Sequence, residues 1–285
     1  MLSVNADRPV DPFTLAVLRE IDGVARELQL PYFMAGAMAR DIVLTHVFGV
    51  QTSRATLDVD FAIAVKNWQQ FNTVKERLVA SGRFNPSEHA VQRIYYGLQE
   101  DNDGYPVDII PFRGVEQPTH TIAWPPEMKT IMNVIGYEEA LATAIQVAIE
   151  PGLTVPIASL PGLALLKLFA WRDRHNLTPR DAQDLVIISR GYHDAGNQNR
   201  LYGEEFGVLE AVEYDVDLAS PRLLGKDARA IANSATLGQA TTLLNDANLV
   251  DRLITHMATE CKAADDSIAA AERLLEQFKA GLTQA

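Results

Sequence analysis

Apolar and polar residues alternate most regularly at residues 56–65, which read T-L-D-V-D-F-A-I-A-V. Successive side chains of a β-strand point to opposite faces, so this alternation predicts a strand with one face in a core. The apolar face is formed by Val59, Phe61, Ile63 and Val65. Asp58 and Asp60 then share the opposite face, about 6.6 Å apart along the strand.

Helical periodicity and capping residues predict two helices around this strand. With Asp11 as N-cap and Pro12 at the first helical position, the first helix ends near Leu28. Residues 68–80 predict a second helix, because their apolar positions recur at helical spacing and Ser-Gly follows them.

A glycine turn is predicted upstream of the alternating strand. The pattern predicts a strand at residues 31–35 and a helix at residues 38–47. Gly36 and Ala37 join them, and the free N–H groups of such a helix start can cradle a phosphate, although most glycine turns only turn the chain. Arg40 lies in the first turn of this helix. Its guanidinium can face phosphates or pair with Asp41, and both interpretations remain open.

A third acidic position lies in a predicted hairpin. The hairpin comprises strands at residues 91–98 and 105–111 and a turn at residues 101–104. Asp108 has apolar neighbours on both sides in the second strand, where a carboxylate is costly unless it has a partner. If this strand lies next to the alternating one, Asp108 comes beside Asp58 and Asp60.

Three carboxylates that meet can hold two divalent cations, as in two-metal phosphoryl and nucleotidyl transfer. A D-x-D triplet also arises often by chance on solvated edges and in turns, but its place at the start of an apolar strand favours a metal site. Because the chain has a single cysteine, Cys261, oxygen ligands predominate and favour Mg²⁺ or Mn²⁺ over structural zinc.

The second half of the chain changes character. Residues 112–126 are proline-rich and predict irregular structure, and residues 145–157 predict another hairpin. From residue 159 onward the pattern is helical, with Ser159 as the N-cap of a helix at about residues 160–174. We therefore expect an α/β (α+β) fold, with a mixed-sheet domain at residues 1–158 and a helical domain at residues 159–285.

The composition and net charge indicate which kinds of protein this chain can be. The 285-residue chain is 47% hydrophobic and 22% charged, as expected of a globular protein. Its net charge of −12 argues against a broad non-specific nucleic-acid surface. A lone cysteine excludes an internal disulfide and fits a reducing cytosol. No apolar run reaches the ~20 residues of a membrane span, and residues 1–11 lack signal-peptide features, so we expect a cytoplasmic protein without a membrane partner.

The motifs together resemble a known family. Gly36-Ala37, Asp58-x-Asp60 and Asp108 are similar to the DNA polymerase β-like nucleotidyltransferase fold. The wider run, from residue 33 to residue 227, resembles the AbiEii/AbiGii nucleotidyltransferases, the toxins of prokaryotic toxin–antitoxin pairs. Its motifs are A-G-A-M-A-R-D, R-A-T-L-D-V-D-F-A-I, V-D-I-I-P-F, S-L-P-G-L-A-L-L-K-L-F-A-W-R-D-R, R-D-A-Q-D-L and R-L-L-G-K-D.

The resemblance implies transfer of a nucleoside monophosphate from an NTP to an acceptor hydroxyl on tRNA or a protein, with a cognate antitoxin as a partner. It implies that a helical domain closes the cleft of the catalytic domain. The implied cation ligands, for Mg²⁺ or Mn²⁺, are Asp58, Asp60 and Asp108. The implied nucleotide contacts at the glycine turn are Gly36, Ala37 and Arg40.

In the helical half the resemblance implies a nucleotide contact for Lys167 and places Asp181 and Asp184 in the site. The residues themselves leave alternatives open. Lys167 can be a core lysine whose stem packs against apolar neighbours. Thr178 can be the N-cap of a helix with Pro179 at the first position, and Asp181 can serve only that cap by reaching back to it. The nearby basic residues either bind substrate or form a solvated helix end: Arg172, Arg174 and Arg180.

One departure from the family pattern keeps other functions open. Ala37 stands where family members have serine or glycine, so it offers no hydroxyl to a phosphate. The alternatives are a nucleotidyltransferase acting on a small molecule such as an aminoglycoside, a catalytically silent nucleotide-binding module, and a metal-dependent phosphohydrolase.

Overall fold

The computed structural model describes residues 1–52, 56, 58–97, 104–118, 120–262 and 265–284. The chain divides into two compact units, Met1–Ile42 with Arg54–Ala158, and Val43–Ser53 with Ser159–Ala285. The second unit thus includes residues 43–53, which the sequence analysis grouped with the mixed-sheet domain. Within the described ranges, no helix combines the length and apolar character needed to cross a membrane.

The first unit is built on a mixed β-sheet. Its strands are β1 Leu2–Ser3, β2 Tyr32–Ala35, β3 Val59–Val65, β4 Phe84–Pro86, β5 Arg93–Tyr96, β6 Tyr105–Arg113, β7 Thr121–Ala123, β8 Ile131–Asn133, β9 Ile145–Glu150 and β10 Leu153–Ile157. The main sheet has the order β1-β9-β10-β2-β3-β6-β5-β4, and β7 pairs separately with β8.

The alternating segment forms β3, between antiparallel β2 and parallel β6. The side chains of Val59, Phe61, Ile63 and Val65 are at most 3% exposed, so this face of β3 lies in the core. Strand β3 begins at Val59 and not at residue 56, and Asp58 therefore lies immediately before the strand. Strand β6, which carries Asp108, is adjacent to β3, as the sequence analysis considered.

The first unit also contains helices, and Asp11 caps the first of them as predicted. They are α1 Pro12–Glu27, α2 Gly36–Asp41, α3 Trp68–Ala80 and α4 Tyr137–Ala142. The Asp11 side chain accepts from the N–H groups of Phe13 and Thr14, and the Asn67 side chain accepts from that of Gln70. Helix α2 begins two residues earlier than predicted and continues as the π-helical segment Ile42–Phe48.

Residues 112–126 and the hairpin that carries Asp108 are the next two predictions to compare with the structure. Residues 112–126 are not irregular throughout, because β7 lies among them. Strands of three residues carry too little alternation to be recognised from sequence. The hairpin that carries Asp108 is present as β5 and β6, whereas residues 101–103 of its predicted turn lie outside the described residues.

The second unit is helical. Its helices are α5 Leu160–Arg174, α6 Arg180–Gly191, α7 Gln198–Leu201, α8 Phe206–Glu210, α9 Val216–Ile231, α10 Ser234–Asn245, α11 Ala247–Ala258 and α12 Ser267–Thr283, with a π-helical turn at His193–Asn197. Helix α5 has the predicted bounds, and its N-cap, Ser159, accepts from the N–H of Gly162.

The R-L-L-G-K-D run packs α9 against its neighbours. A Cβ on Gly225 would lie 2.1 Å from the backbone oxygen of Phe278, and one on Gly281 would lie 2.0 Å from that of Arg222, so α9 and α12 meet backbone to backbone. Asp227 accepts hydrogen bonds from the Arg200 guanidinium through both carboxylate oxygens, at 2.7 and 2.9 Å. This motif, which sequence reasoning left without a mechanism, has a structural role in the second unit.

Candidate active site

Asp60 and Asp108 lie side by side on the sheet of the first unit. The parallel pairing of β3 and β6 puts them in register, so their side chains leave the same face. Asp58 precedes Asp60 by two residues. All three are partly exposed, whereas Val59 and Val107 beside them are fully buried. The sheet thus presents three acidic residues at the surface from a strand pair whose other face is in the core.

Gly36 is fitted to the Asp60 carboxylate. Strands β2 and β3 pair Ala35 with Asp60, and Gly36 follows with φ of +74°, a left-handed conformation that favours glycine. A Cβ at this position would lie 1.9 Å from Asp60 Oδ2 and 2.7 Å from its Cγ. Only glycine therefore leaves room for the carboxylate where it stands.

Helix α2 begins at this glycine. Its N-cap residue, Ala35, has no side-chain acceptor for the first N–H groups, which also lack helical acceptors. Gly36 and Ala37 are partly exposed, while residues 38–41 are buried. The start of α2 therefore offers backbone donors beside a carboxylate, on the exposed side of the turn.

Asp108 is held by an arginine from the other side. Strand β5 pairs Arg93 with Asp108. The guanidinium donates from Nε to Asp108 Oδ1 at 2.8 Å and from Nη2 to Oδ2 at 2.7 Å. These hydrogen bonds raise the pKa of Arg93 above its ordinary value, so the guanidinium stays charged.

Tyr105, at the start of β6, links this strand to α1. Its hydroxyl lies 2.9 Å from Thr14 Oγ1. Burial raises the pKa of Tyr105, the hydrogen bond with Thr14 opposes that shift, and the carboxylates of Asp11 and Asp58 raise the pKa further. Tyr105 therefore stays protonated and lies within the electrostatic reach of Asp58.

The carboxylates suit a hard divalent cation in their chemistry, because Mg²⁺ and Mn²⁺ prefer oxygen ligands. Gly36 leaves room for the Asp60 carboxylate itself, with which a Cβ would collide. Within the described part of the chain, no three acidic, histidine or cysteine side chains are arranged as they stand to hold a metal ion. Asp108 in particular would have to share its oxygens between a cation and Arg93.

Arg40 is buried, with its side chain 1% exposed. Its Nε donates to Asp41 Oδ1 at 2.8 Å, and Asp41 Oδ2 accepts from Thr56 Oγ1 at 3.0 Å. Of the two open interpretations, the structure has the pairing with Asp41. The Arg40 guanidinium is buried in this arrangement and does not face solvent.

A second charged cluster lies between α5 and α6 in the second unit. Lys167 Nζ is 3.2 Å from Asp181 Oδ1 and 2.5 Å from Asp184 Oδ2. The three side chains are 10%, 1% and 2% exposed, respectively. Lys167 is therefore the centre of a largely buried ion-pair cluster, with its ammonium held by two carboxylates.

Arg174 completes this cluster by donating to both oxygens of Asp181, at 2.6 and 2.9 Å. Burial opposes ionisation of Asp181, but Lys167 and Arg174 more than offset it, and the pKa of Asp181 lies below its ordinary value. Helix α6 begins at Arg180, whose N–H donates to Thr178 Oγ1 at 3.3 Å. The Asp181 carboxylate accepts from Lys167 and Arg174 and does not serve the cap, so that alternative is wrong. The buried carboxylate of Asp181 pairs with Lys167 and Arg174 because, away from water, ion pairs with these two side chains are more favourable than a hydrogen bond at the helix start.

The roles of two arginines in these clusters cannot be read from the sequence. The partner of Arg93 depends on the register of the hairpin, and the length of its loop does not determine that register. Arg174 has the same sequence context as Arg172 and Arg180, but of the three it is the one that pairs with Asp181. Arg172 bonds Asp173 and Gln239, and Arg180 is exposed.

A mixed sheet with acidic residues in register on two central strands, beside a strand–glycine–helix turn, is the arrangement expected of a nucleotidyltransferase. Comparison of sequences agrees with this class. The profile of a family described as nucleotidyl transferase AbiEii toxin, Type IV TA system, matches residues 25–277. The chain belongs to the AbiEii nucleotidyltransferase family. No curated protein sequence matches it significantly.

Solved structures give weaker likenesses. A nucleotidyltransferase-like protein from Paracoccidioides brasiliensis is 14% identical, with 73% of this chain and 93% of that chain covered and a TM-score of 0.42. The antibiotic-resistance factor ANT(2″)-Ia is 14% identical, with 72% and 99% covered and a TM-score of 0.37. The CCA-adding enzyme of Thermotoga maritima, complexed with tRNA, is 12% identical, with 97% and 82% covered and a TM-score of 0.28. At these values the likenesses carry no argument about the substrate.

Proposed function

We propose that this protein transfers a nucleoside monophosphate from an NTP to an acceptor hydroxyl, with release of pyrophosphate, and that it is the toxin of a toxin–antitoxin pair. The observation that carries the proposal is the register of Asp60 with Asp108 next to a glycine turn fitted to the Asp60 carboxylate. Membership of the AbiEii family supports the same reaction.

The residues have separate roles in this proposal. Asp58, Asp60 and Asp108 would hold Mg²⁺ or Mn²⁺, and Asp108 would also help to deprotonate or position the acceptor hydroxyl. A bound divalent cation supplies charge neutralisation for the triphosphate and lowers the pKa of the hydroxyl. The N–H groups at the start of α2 receive phosphate oxygens. Because Ala37 has no hydroxyl, these backbone donors replace the serine contact of other family members.

Lys167 is proposed to contact the nucleotide, as the family resemblance implies. Its support in the second unit is the pair of carboxylates that fix the ammonium, Asp181 and Asp184. Arg174 neutralises the additional charge of Asp181. A lysine that is fixed in this way loses little conformational entropy when it meets an anion.

The acceptor is proposed to be a tRNA or a protein, with a small molecule as the second candidate. The net charge of −12 favours the second candidate over a broad RNA surface, since phosphate backbones are bound chiefly by Lys and Arg. A local contact with one end of a tRNA needs few basic side chains and is therefore compatible with the negative net charge.

Incubation with each NTP labelled at the α-phosphate, with Mg²⁺ or with EDTA, tests the reaction. Total tRNA, a bacterial protein extract and a panel of aminoglycosides serve as acceptors in separate reactions. We expect Mg²⁺-dependent label in one acceptor class and none with Asp58→Ala or Asp60→Ala, both folded by circular dichroism. The control Asp251→Asn, on the exposed face of α11, should react like the wild type.

Other outcomes identify the rival functions. Nucleotide binding without turnover indicates a silent module, and release of labelled product into water without any labelled acceptor indicates a phosphohydrolase. Expression in a bacterial host with and without the neighbouring gene tests the toxin role. Growth arrest that requires Asp60 and is relieved by the neighbour supports it, and unaffected growth contradicts it.

A further inference from the structure

Neither the residue pattern nor the family description gives Arg93 a role. Its side chain is 33% exposed, and that of its partner Asp108 is 14% exposed. The two parallel hydrogen bonds, at 2.8 and 2.7 Å, form the fork by which arginine fixes the plane of a carboxylate. Strand pairing places the Arg93 backbone opposite that of Asp108, so the contact is built into the sheet.

This contact has an electrostatic consequence for the cation. Both oxygens of Asp108 already accept hydrogen bonds from a positive group. A divalent cation that reaches Asp108 is repelled by the guanidinium a few ångströms away, and such repulsion is substantial at the edge of a protein. The phosphates of a nucleotide carry the negative charge that compensates this repulsion.

We propose that Arg93 positions the Asp108 carboxylate and acts as an internal counter-ion that makes binding of the divalent cation dependent on the nucleotide. The inference rests on the proposed function. The guanidinium fork sets the orientation of Asp108, and the charge of Arg93 weakens the affinity of the three carboxylates for the free cation. Binding of the nucleotide and binding of the cation then strengthen each other, as linkage requires.

Two substitutions separate these effects. Arg93→Gln removes both the charge and the fork, and Arg93→Lys keeps the charge but loses the fork. The matched control is Arg19→Gln, because Arg19 makes the same kind of two-bond contact with Glu150, at 2.6 and 2.7 Å, elsewhere in the first unit. Free Mn²⁺ is measured by electron paramagnetic resonance during titration, alone and with α,β-methylene analogues of the four NTPs.

We expect Arg93→Gln to bind Mn²⁺ alone roughly tenfold more tightly than the wild type, because a repelling charge is gone. The gain in Mn²⁺ affinity from the nucleotide should shrink by a similar factor. Arg93→Lys should bind Mn²⁺ within about threefold of the wild type, since the charge remains. Both variants should lose pyrophosphate release, because Asp108 is no longer oriented. Arg19→Gln should behave as the wild type does in every assay.

Several results would overturn the inference. Unchanged or weaker Mn²⁺ binding by folded Arg93→Gln would show that its charge does not oppose the cation. Full pyrophosphate release by Arg93→Lys would show that the fork does not position Asp108. Absence of Mn²⁺ binding by the wild-type protein, even with nucleotide, would contradict the proposed function itself, which distinguishes that failure from the other two.

Discussion

The fit between Gly36 and Asp60 makes a quantitative prediction for Gly36→Ala. The new Cβ would lie 1.9 Å from Asp60 Oδ2, 2.7 Å from Cγ and 2.9 Å from the Asp60 Cβ, so the carboxylate must move. A left-handed conformation at a non-glycine residue costs about 1–2 kcal/mol, and overpacking adds about 1–3 kcal/mol. We expect the free energy of unfolding to fall by about 2–5 kcal/mol.

Gly82→Ala separates the two contributions. Gly82 also has φ of +74°, but a Cβ there would meet nothing within 4 Å. Urea denaturation of Gly82→Ala should therefore show the conformational cost alone, about 1–2 kcal/mol. The difference between the two variants measures the collision with Asp60.

The double variant Gly36→Ala with Asp60→Ala completes a thermodynamic cycle. Asp60→Ala removes the two atoms nearest to the new Cβ, so the double variant should be more stable than the sum of the single effects by about 1–3 kcal/mol. Additive effects, or a cost of Gly36→Ala no larger than that of Gly82→Ala, would refute the close fit on which the site depends.

The remaining predictions concern the second unit. Gly225→Ala should destabilise by about 1–3 kcal/mol because its Cβ would collide with the Phe278 carbonyl, whereas Gly238→Ala, in an open position of α10, should stabilise by about 0.5–1 kcal/mol; thermal denaturation compares them. Lys167→Met should cost about 3–5 kcal/mol in urea denaturation, because it leaves two buried carboxylates without their shared cation, and a cost below 1 kcal/mol would contradict the buried cluster. The pKa of Asp181 is lower in the folded protein than its ordinary 3.8, so its stabilising effect is present above pH 3.8 and is lost as the pH falls further. In the Asp181→Asn variant the urea midpoint should therefore fall less steeply below pH 4 than in the wild type. The same pH dependence in both proteins would contradict a stabilising role for the Asp181 carboxylate.

Local signals in the sequence predict most of the helices and strands. They succeed where a residue and its near neighbours along the chain determine the structure, as at a helix cap or in an alternating strand. Helices α3 and α5 have their predicted bounds because Asn67 and Ser159 cap them with their own side chains. Alternation predicts β3 and places Asp58 and Asp60 on one face of it. Ala62 and Ala64 on that same face are 0% and 4% exposed, so β3 is buried on both faces beyond Asp60. Three-residue strands such as β7 and β8 lack enough positions to show any period.

Pairwise contacts in the site are harder to predict. The partnership of Arg93 with Asp108 depends on hairpin register, and that of Lys167 with Asp181 and Asp184 depends on the packing of α5 on α6. The family resemblance pointed to the second group of residues without giving their contacts. Arg40 was left between two partners, because nothing in the sequence shows that its side chain is buried.

Crystallography with an anomalous scatterer can locate the divalent cation relative to the three carboxylates. Crystals grown with Mn²⁺ and a non-hydrolysable NTP analogue should show an anomalous difference peak within about 2.5 Å of carboxylate oxygens from Asp58 and Asp60, with Asp108 beside them. The phosphates should lie against the start of α2. A peak elsewhere in the molecule, with these carboxylates free of both cation and nucleotide, would contradict the account.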